Sequence, residues 1–451
     1  MEKPISIATG KFRTNNNNNN NHNNVWFVVP LFFILCFVLL CFDYSALFTD
    51  TDETAFSIPD VTQKSTSSEF TKDDNFSRFL DDPSPDSSCS GRYIYVHELP
   101  YRDSMVICLI IALRLPEFML EVIFHNKMMN YRCLTNDSSL ASAVFVPFYA
   151  GLDMSRYLWG FNISVRDSSS HELMDWLVVQ KEWGRILRFL PESRNMSMLS
   201  IESSSWNNDY AIPYPTCFHP RSVDEIVEWQ ELMRSQKREY LFTFAGAPRP
   251  EYKDSVRGKI IDECLESKKQ CYLLDCNYGN VNCDNPVNVM KVFRNSVFCL
   301  QPPGDSYTRR SMFDSILAGC ILVFFHPGTA YAQYKWHLPK NHSSYSVYLP
   351  VKDVKEWNIK IKERLIEIPE ERVVRLREEV LRLIPKVVYA DPKYGLDGNE
   401  DAFELAVKGM LERIEEVREM MRQGKDGSDG FDDRDDYKYT FSPYEEPQVL
   451  A

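Results

Sequence analysis

Residues 299–325 read CLQPPGDSYTRRSMFDSILAGCILVFF. The pattern predicts an apolar strand, Val297 to Leu300, running into a Pro-Gly loop. The loop is expected to open a helix with Ser306, Thr308, Arg309 and Arg310 in its first turn. A second apolar strand, Cys320 to Phe325, follows at once. Such a half-Rossmann unit brings free helix N–H groups, hydroxyls and two guanidinium groups to one point. A diphosphate suits that arrangement, and a nucleotide-sugar is a diphosphate.

The alternation extends on the N-terminal side. Strand Leu241–Ala245 leads into a Gly-Ala-Pro-Arg-Pro loop and a helix through Arg257 and Ile261; strand Tyr272–Leu274 and a helix from Pro286 to Arg294 follow. Strands alternating with helices imply an α/β fold, a parallel sheet covered on both faces. Ligands of such sheets bind beyond the C-terminal strand ends, so the loops Gly246–Pro250 and Pro302–Thr308 are expected to face one crevice. Arg309 and Arg310 are the leading anion ligands there. Arg310 also stands four residues before Asp314, the spacing of a helix-surface ion pair. Arg257 is a candidate second phosphate ligand, and Asp314 a candidate acceptor for a ribose or sugar hydroxyl.

Nearer the N-terminus, Tyr93–Val96 and Ala143–Pro147 read as strands and His171–Trp183 as a helix. Glu400–Arg422 is an amphipathic helix with Phe403, Val407, Met410, Leu411, Ile414 and Val417 on one stripe, expected to pack on the body.

The chain has 451 residues, enough for two domains with appendages, and its formal net charge of -13 disfavours general nucleic-acid binding. Val25–Phe42 is an uncharged apolar run at the short end of what spans a bilayer. Lys3, Lys11 and Arg13 precede it, and Asp43, Asp50, Asp52 and Glu53 follow. This bias predicts a signal-anchor with a cytosolic leader and a luminal body. A cleaved signal peptide fits less well, because the run starts late and lacks a small-residue cleavage site.

Sequons at Asn75, Asn136, Asn162, Asn195 and Asn341 all lie beyond the anchor and are expected glycosylation sites. Ten of the twelve cysteines also lie there, and Cys264, Cys271, Cys276 and Cys283 contain no CxxC pair. Two disulfides are therefore expected in preference to zinc, with the pairing open.

The chemistry-bearing motifs are few. There is no DxD metal signature in the body, no GxSxG elbow, no HExxH and no Walker loop. Cationic side chains and a helix dipole can stabilise a leaving diphosphate in place of a divalent ion, so neither metal nor cofactor is expected. An inverting transfer also needs a base beside the acceptor hydroxyl. The catalytic candidates are His97, Glu98 and Asp153.

These residues lie in longer blocks. Cys89–Pro100 (CSGRYIYVHELP), Phe118–Tyr131, Phe145–Asp153, Asn195–Leu199, Ile212–Pro220 (IPYPTCFHP), Leu241–Pro250 and above all Cys299–Phe325 occur in order, followed by His326–Tyr331 and Trp336–Pro339. In them the chain resembles the plant exostosin-like glycosyltransferases of family 47, in the xyloglucan galactosyltransferase group. The resemblance implies a GT-B-like fold, two Rossmann-like domains facing a cleft, behind a single transmembrane helix. It implies a Golgi type II membrane enzyme that transfers galactose from UDP-galactose to xyloglucan by inversion. It also implies that Gln301, Gly304, Ser306, Tyr307, Arg309, Arg310 and Asp314 line the donor pocket, with Arg257 nearby.

The division expected is a tail (1–24), anchor (25–42), stem (43–88), acceptor-side domain (89–235), donor domain (236–399), packing helix (400–423) and acidic tail (424–451). Three departures are visible. The family's Gly-Lys/Arg-Asp-His-Phe segment is missing where Trp183 runs into Gly184-Arg185-Ile186. The stretch after Pro100 is shortened, with an unusual apolar run at Met105–Leu113. Leu322 stands where the family generally has Pro. An intact donor half and an altered acceptor half are expected. The rival readings are a transferase for another UDP-sugar, and a catalytically silent homologue that acts as a Golgi scaffold beside other glycosyltransferases.

Overall fold

The computed structural model describes residues 89–99, 119–155, 162–178, 180, 197–203, 209–251, 255–277, 283, 285–396 and 400–425. All belong to one compact unit, Pro83–Ala451. The expected anchor, leader and stem, the sequons Asn75 and Asn195, both shortened stretches and the end of the acidic tail lie outside the described residues. No helix among the described residues is long and apolar enough to cross a membrane.

The first half contains β1 (Tyr93–Val96), α1 (Met119–Met129), β2 (Ala141–Phe145), α2 (Ala150–Ser155), α3 (Ile163–Arg166), α4 (Ser168–Val178), β3 (Met198–Ser200), β4 (Asp209–Ala211) and α5 (Val223–Ser235). Its strands form two parallel pairs, β1 with β2 and β3 with β4. Helix α4 starts before His171, and β2 starts two residues before Ala143.

The second half follows the predicted alternation: β5 (Tyr240–Gly246), α6 (Arg257–Glu266), β6 (Cys271–Asp275), α7 (Pro286–Arg294), β7 (Ser296–Gln301), α8 (Arg310–Leu317) and β8 (Ile321–Phe324). Beyond it lie β9 (Ser346–Tyr348), α9 (Val351–Lys355), α10 (Ile361–Ile366), α11 (Glu370–Val387) and α12 (Ala402–Arg422). The sheet is wholly parallel, in the order β6-β5-β7-β8-β9.

Strand periodicity explains how this sheet is buried. In β8 and the residue after it, Leu322 and Phe324 join the core under α8 and α11, while Ile321, Val323 and Phe325 join the core under α6 and α10. Side chains alternate faces and both faces are covered, so the strand reads as a continuous apolar run. Leu322 is fully buried in this interior strand.

Four disulfides close the described chain: Cys89–Cys133, Cys264–Cys271, Cys276–Cys283 and Cys299–Cys320. The middle two pair sequential neighbours in the cluster whose pairing the spacing left open. Cys299–Cys320 links β7 to the entry of β8 and encloses α8 in a covalent loop.

The last helix reaches back to the first. Phe403, Val407 and Leu411 of α12 share a core with Ile94 of β1 and with Leu120, Phe124 and Met128 of α1. Asp401 caps α12 by accepting from Glu404 N–H, and its carboxylate also binds the buried Lys127 ammonium at 2.8 Å. Met410, Ile414 and Val417 of the predicted stripe are only half-buried.

Candidate donor site

The site lies beyond the C-terminal ends of β5, β7 and β8. Arg257 ties two of the loops together. It opens α6 and is only 2% exposed, yet its guanidinium donates to Pro303 O at 2.9 Å and to Ala247 O at 3.1 Å. Arg249 and Asp305 join the same two loops by an ion pair at 2.6 Å. The Gly246–Pro250 and Pro302–Thr308 loops therefore do meet, as the parallel alternation requires.

Gly304 sits between two cations. A Cβ added there would lie inside contact distance of Arg257 Nη2 and 2.7 Å from Arg309 Nη1. Among the described residues no carboxylate pairs with either guanidinium within 4.0 Å; Arg309 Nε contacts only Ser311 Oγ, at 3.3 Å. Burial and the neighbouring Arg249 charge lower the Arg257 pKa to about 10. Two adjacent guanidinium groups beside a small residue, with no carboxylate in ion-pair contact, have the chemistry to bind a dianion, although Asp305 and Glu251 partly offset the Arg257 charge.

Arg310 is differently placed. It faces Asp314 at 3.7 Å, one turn on, so its charge is already countered. Asp314 is almost fully buried, and desolvation raises its pKa to about 6 against the lowering influence of Arg310.

The helix begins later than the sequence predicts, at Arg310, with Arg309 extended as its N-cap. Ser306 and Thr308 belong to the loop and not to the first turn. A side chain from the first half of the chain holds the residue before the N-cap. Glu202, just past β3, accepts from the Thr308 N–H at 3.0 Å and from its hydroxyl. Tyr214 Oη lies 3.1 Å from the same hydroxyl. These contacts fix Thr308 in the loop that leads into α8.

Gln301 is 1% exposed and does not offer its amide to a ligand. Its Oε1 accepts from Ser311 Oγ at 2.7 Å and its Nε2 donates to Ser315 Oγ at 2.9 Å, which fixes the start of α8 to the end of β7. Gln301 thus braces the helix that carries the candidate donor-pocket residues. Ser306 is exposed, and Tyr307 stacks on His326 at 4.4 Å, joining the ends of β7 and β8.

The three candidate bases are spread over the first half. His97 follows β1 and is 5% exposed, edge-on to Tyr95 and Trp176. Glu98 beside it is exposed, and Asp153 lies half-buried on α2. The hydrogen bonds that tie the first half to the donor loop run instead through Glu202 and Tyr214, neither of which the motifs singled out. Tyr214 lies inside the Ile212–Pro220 block, and Glu202 lies just after the Asn195–Leu199 block. Proximity to those blocks was the one available signal.

Among the described residues no three His, Cys, Asp or Glu side chains are grouped to hold a metal ion. The sequons Asn136, Asn162 and Asn341 are all exposed. A cavity of about 120 Å³ lined by Lys259, Asp262, Glu263 and Lys360 opens on α6, away from these loops.

The exostosin GT47 domain matches residues 88–365. The chain belongs to the exostosin GT47 family. It is 83% identical to the probable xyloglucan galactosyltransferase GT14 of Arabidopsis thaliana over 515 aligned positions, which take in 100% of this chain and 98% of that relative. With 451 residues here, the alignment must pass residues of the relative that this chain lacks, in keeping with the expected internal deletions. The xyloglucan galactosyltransferase MUR3 of the same plant is 46% identical over 389 positions, 72% of this chain and 63% of the relative. Among solved structures, the pneumococcal O-GlcNAc transferase GtfA in complex with UDP and GlcNAc matches at TM-score 0.25 and 12% identity, over 48% of this chain and 40% of its own, a likeness that carries no argument. Family membership makes the chain a glycosyltransferase.

Proposed function

We propose that this chain transfers galactose from UDP-galactose to the side chains of xyloglucan, with inversion and without a metal ion. The observation that carries the reading is Gly304 between the guanidinium groups of Arg257 and Arg309. The donor diphosphate would lie over Gly304, with Arg257 and Arg309 as its ligands. Arg310 would add charge only to the extent that Asp314 releases it. In the transfer, the acceptor hydroxyl oxygen bonds to the sugar C1 as the bond from C1 to the diphosphate oxygen breaks. The hydroxyl proton passes to a base, and the leaving UDP keeps the electron pair beside the two guanidinium groups. Glu98 is the one exposed base candidate of the three.

The choice of sugar and acceptor rests on the names of the relatives, which are xyloglucan galactosyltransferases. The proposed setting is a Golgi membrane, with the chain anchored by residues 25–42 and its body in the lumen, in a GT-B-like pair of facing domains. Four disulfides and three exposed sequons support a secretory lumen. A second reading, a silent homologue acting as a scaffold, draws on the residues missing relative to the GT14 relative.

The test is incubation of the purified chain with xyloglucan oligosaccharides and a panel of UDP-sugars, read by mass spectrometry. One added hexose from UDP-galactose alone is the expected result. Transfer of another sugar would reassign the donor. UDP binding without any transfer would favour the scaffold.

A further inference from the structure

We infer that Glu202 is a positioning residue that holds the donor loop in its diphosphate-binding shape from the opposite half of the chain, an inference that rests on the donor-site reading above. The segment carrying Glu202 is fastened to the second half at three points. Tyr334 Oη donates to Ile201 O at 2.9 Å. Gln333 Oε1 accepts from both Ser203 N–H and Ser203 Oγ at 2.8 Å. Between these fixed neighbours, Glu202 Oε2 accepts from Thr308 N–H and the Thr308 hydroxyl, and Tyr214 Oη completes the contact. Thr308, Gln333 and Ser203 are all buried.

Thr308 is the residue before the Arg309 N-cap, four positions after Gly304. Fixing its N–H and hydroxyl holds the backbone that leads into Arg309, and hence where the Arg309 guanidinium points. A carboxylate with two donors on one oxygen is a strong, directional anchor. Without it the buried Thr308 N–H and hydroxyl lose their acceptor, the loop that leads into α8 is released, and Arg309 is no longer held beside Gly304. Glu202 touches the loop and not the diphosphate seat itself, so its effect is on donor binding through Arg309.

The full chain, purified in detergent, tests this with Glu202→Ala, Glu202→Gln and Thr308→Val. Two readouts are needed: amide hydrogen exchange over residues 302–311 without donor, and the Kd for UDP-galactose by calorimetry. Glu202→Ala should speed exchange at Thr308 and weaken UDP-galactose binding roughly tenfold, while Glu202→Gln, which keeps an acceptor oxygen, should stay within about threefold of the parent. Thr308→Val should weaken binding, and its combination with Glu202→Ala should add little further. Faster exchange with unchanged donor affinity would overturn the inference and leave Glu202 a purely structural tie. Unchanged exchange would overturn it outright. A parent protein that binds no UDP-sugar would bring down the donor-site reading and this role with it, while the exchange data would still show whether Glu202 orders the loop.

Discussion

At the scale of single residues, the site is defined by which charges are already answered. Arg249 has Asp305 and Arg310 has Asp314, whereas Arg257 and Arg309 have no carboxylate within ion-pair distance among the described residues and hydrogen-bond to backbone and hydroxyl oxygens. Gly304→Ala tests this seat directly. The new methyl meets the ends of two long side chains, and displacing buried Arg257 from Pro303 O and Ala247 O should cost the fold about 1–3 kcal/mol. To make room, both guanidinium groups must swing off the loop, and the donor KM should rise about tenfold or more. A large fall in melting temperature with an unchanged KM would contradict the assignment. Asp314 supplies a second test through pH. Its pKa of about 6 means that the carboxylate is charged at neutral pH and offsets Arg310. As pH falls through about 6 it takes a proton, Arg310 is released, and UDP-galactose should bind several-fold more tightly, a change on the order of 1 kcal/mol. The donor diphosphate does not titrate in this range. His326, lowered by burial, is the other titrating neighbour of the loop, so Asp314→Asn should flatten the profile if Asp314 is its source. The sign for stability is the same. The raised pKa makes the Asp314 contribution greatest below its unfolded value and lost as pH rises through about 6.

At the scale of elements, the strand–loop–helix pattern was legible because its causes are local. Buried parallel strands must be apolar throughout, and Pro302, Pro303 and Gly304 end one cleanly; β7 and β8 fall within a residue or two of their predicted ends. The path of the loop into α8 was not legible, because a carboxylate about a hundred residues earlier in the chain holds it. Helix α11 was passed over, although it is long and amphipathic: Pro385 interrupts its last turn and its neighbours in sequence carry no motif. The bracing of α8 by Gln301 was hidden for a related reason. A residue can recur in a motif because it braces a helix, and the motif alone does not distinguish bracing from contact. Helix α12 was placed correctly as a packing element, but its partner could not be named from periodicity. Gly409 shows how closely it docks: an added Cβ would lie 2.6 Å from Trp336 Cγ and closer still to two other ring atoms. The indole is also stacked on Tyr210 at 4.7 Å, so it has little room to yield. Gly409→Ala should therefore destabilise the fold by about 1–3 kcal/mol, although alanine is the better helix former. Calorimetric unfolding would measure this, and a stabilised variant would contradict the close docking.

At the scale of the whole molecule, stability at acid pH should depend on how α12 is held. His337 is buried and its ring nitrogen Nε2 bonds Ala402 O at 3.0 Å, at the first residue of α12; burial lowers its pKa to about 4. A depressed histidine contributes stability above its unfolded pKa of about 6.5 and loses it as pH falls towards 4. The loss amounts to something on the order of 3 kcal/mol, opposite in direction to the Asp314 contribution. Because Asp314 works against it over the same range, the His337 contribution is read as a difference: the gap in unfolding midpoint between the parent and His337→Gln, wide at pH 7, should narrow towards pH 4. The placement of α12 also bears on synthesis. Ile94, Leu120 and Phe124 emerge early from the ribosome, yet the residues that complete their core, Phe403 to Leu411, emerge near the end. The first half to be translated is thus the last to be finished. Until release, its apolar face is exposed to chaperones, and a premature stop anywhere before residue 401 would leave unfinished the part of the protein farthest from the lesion.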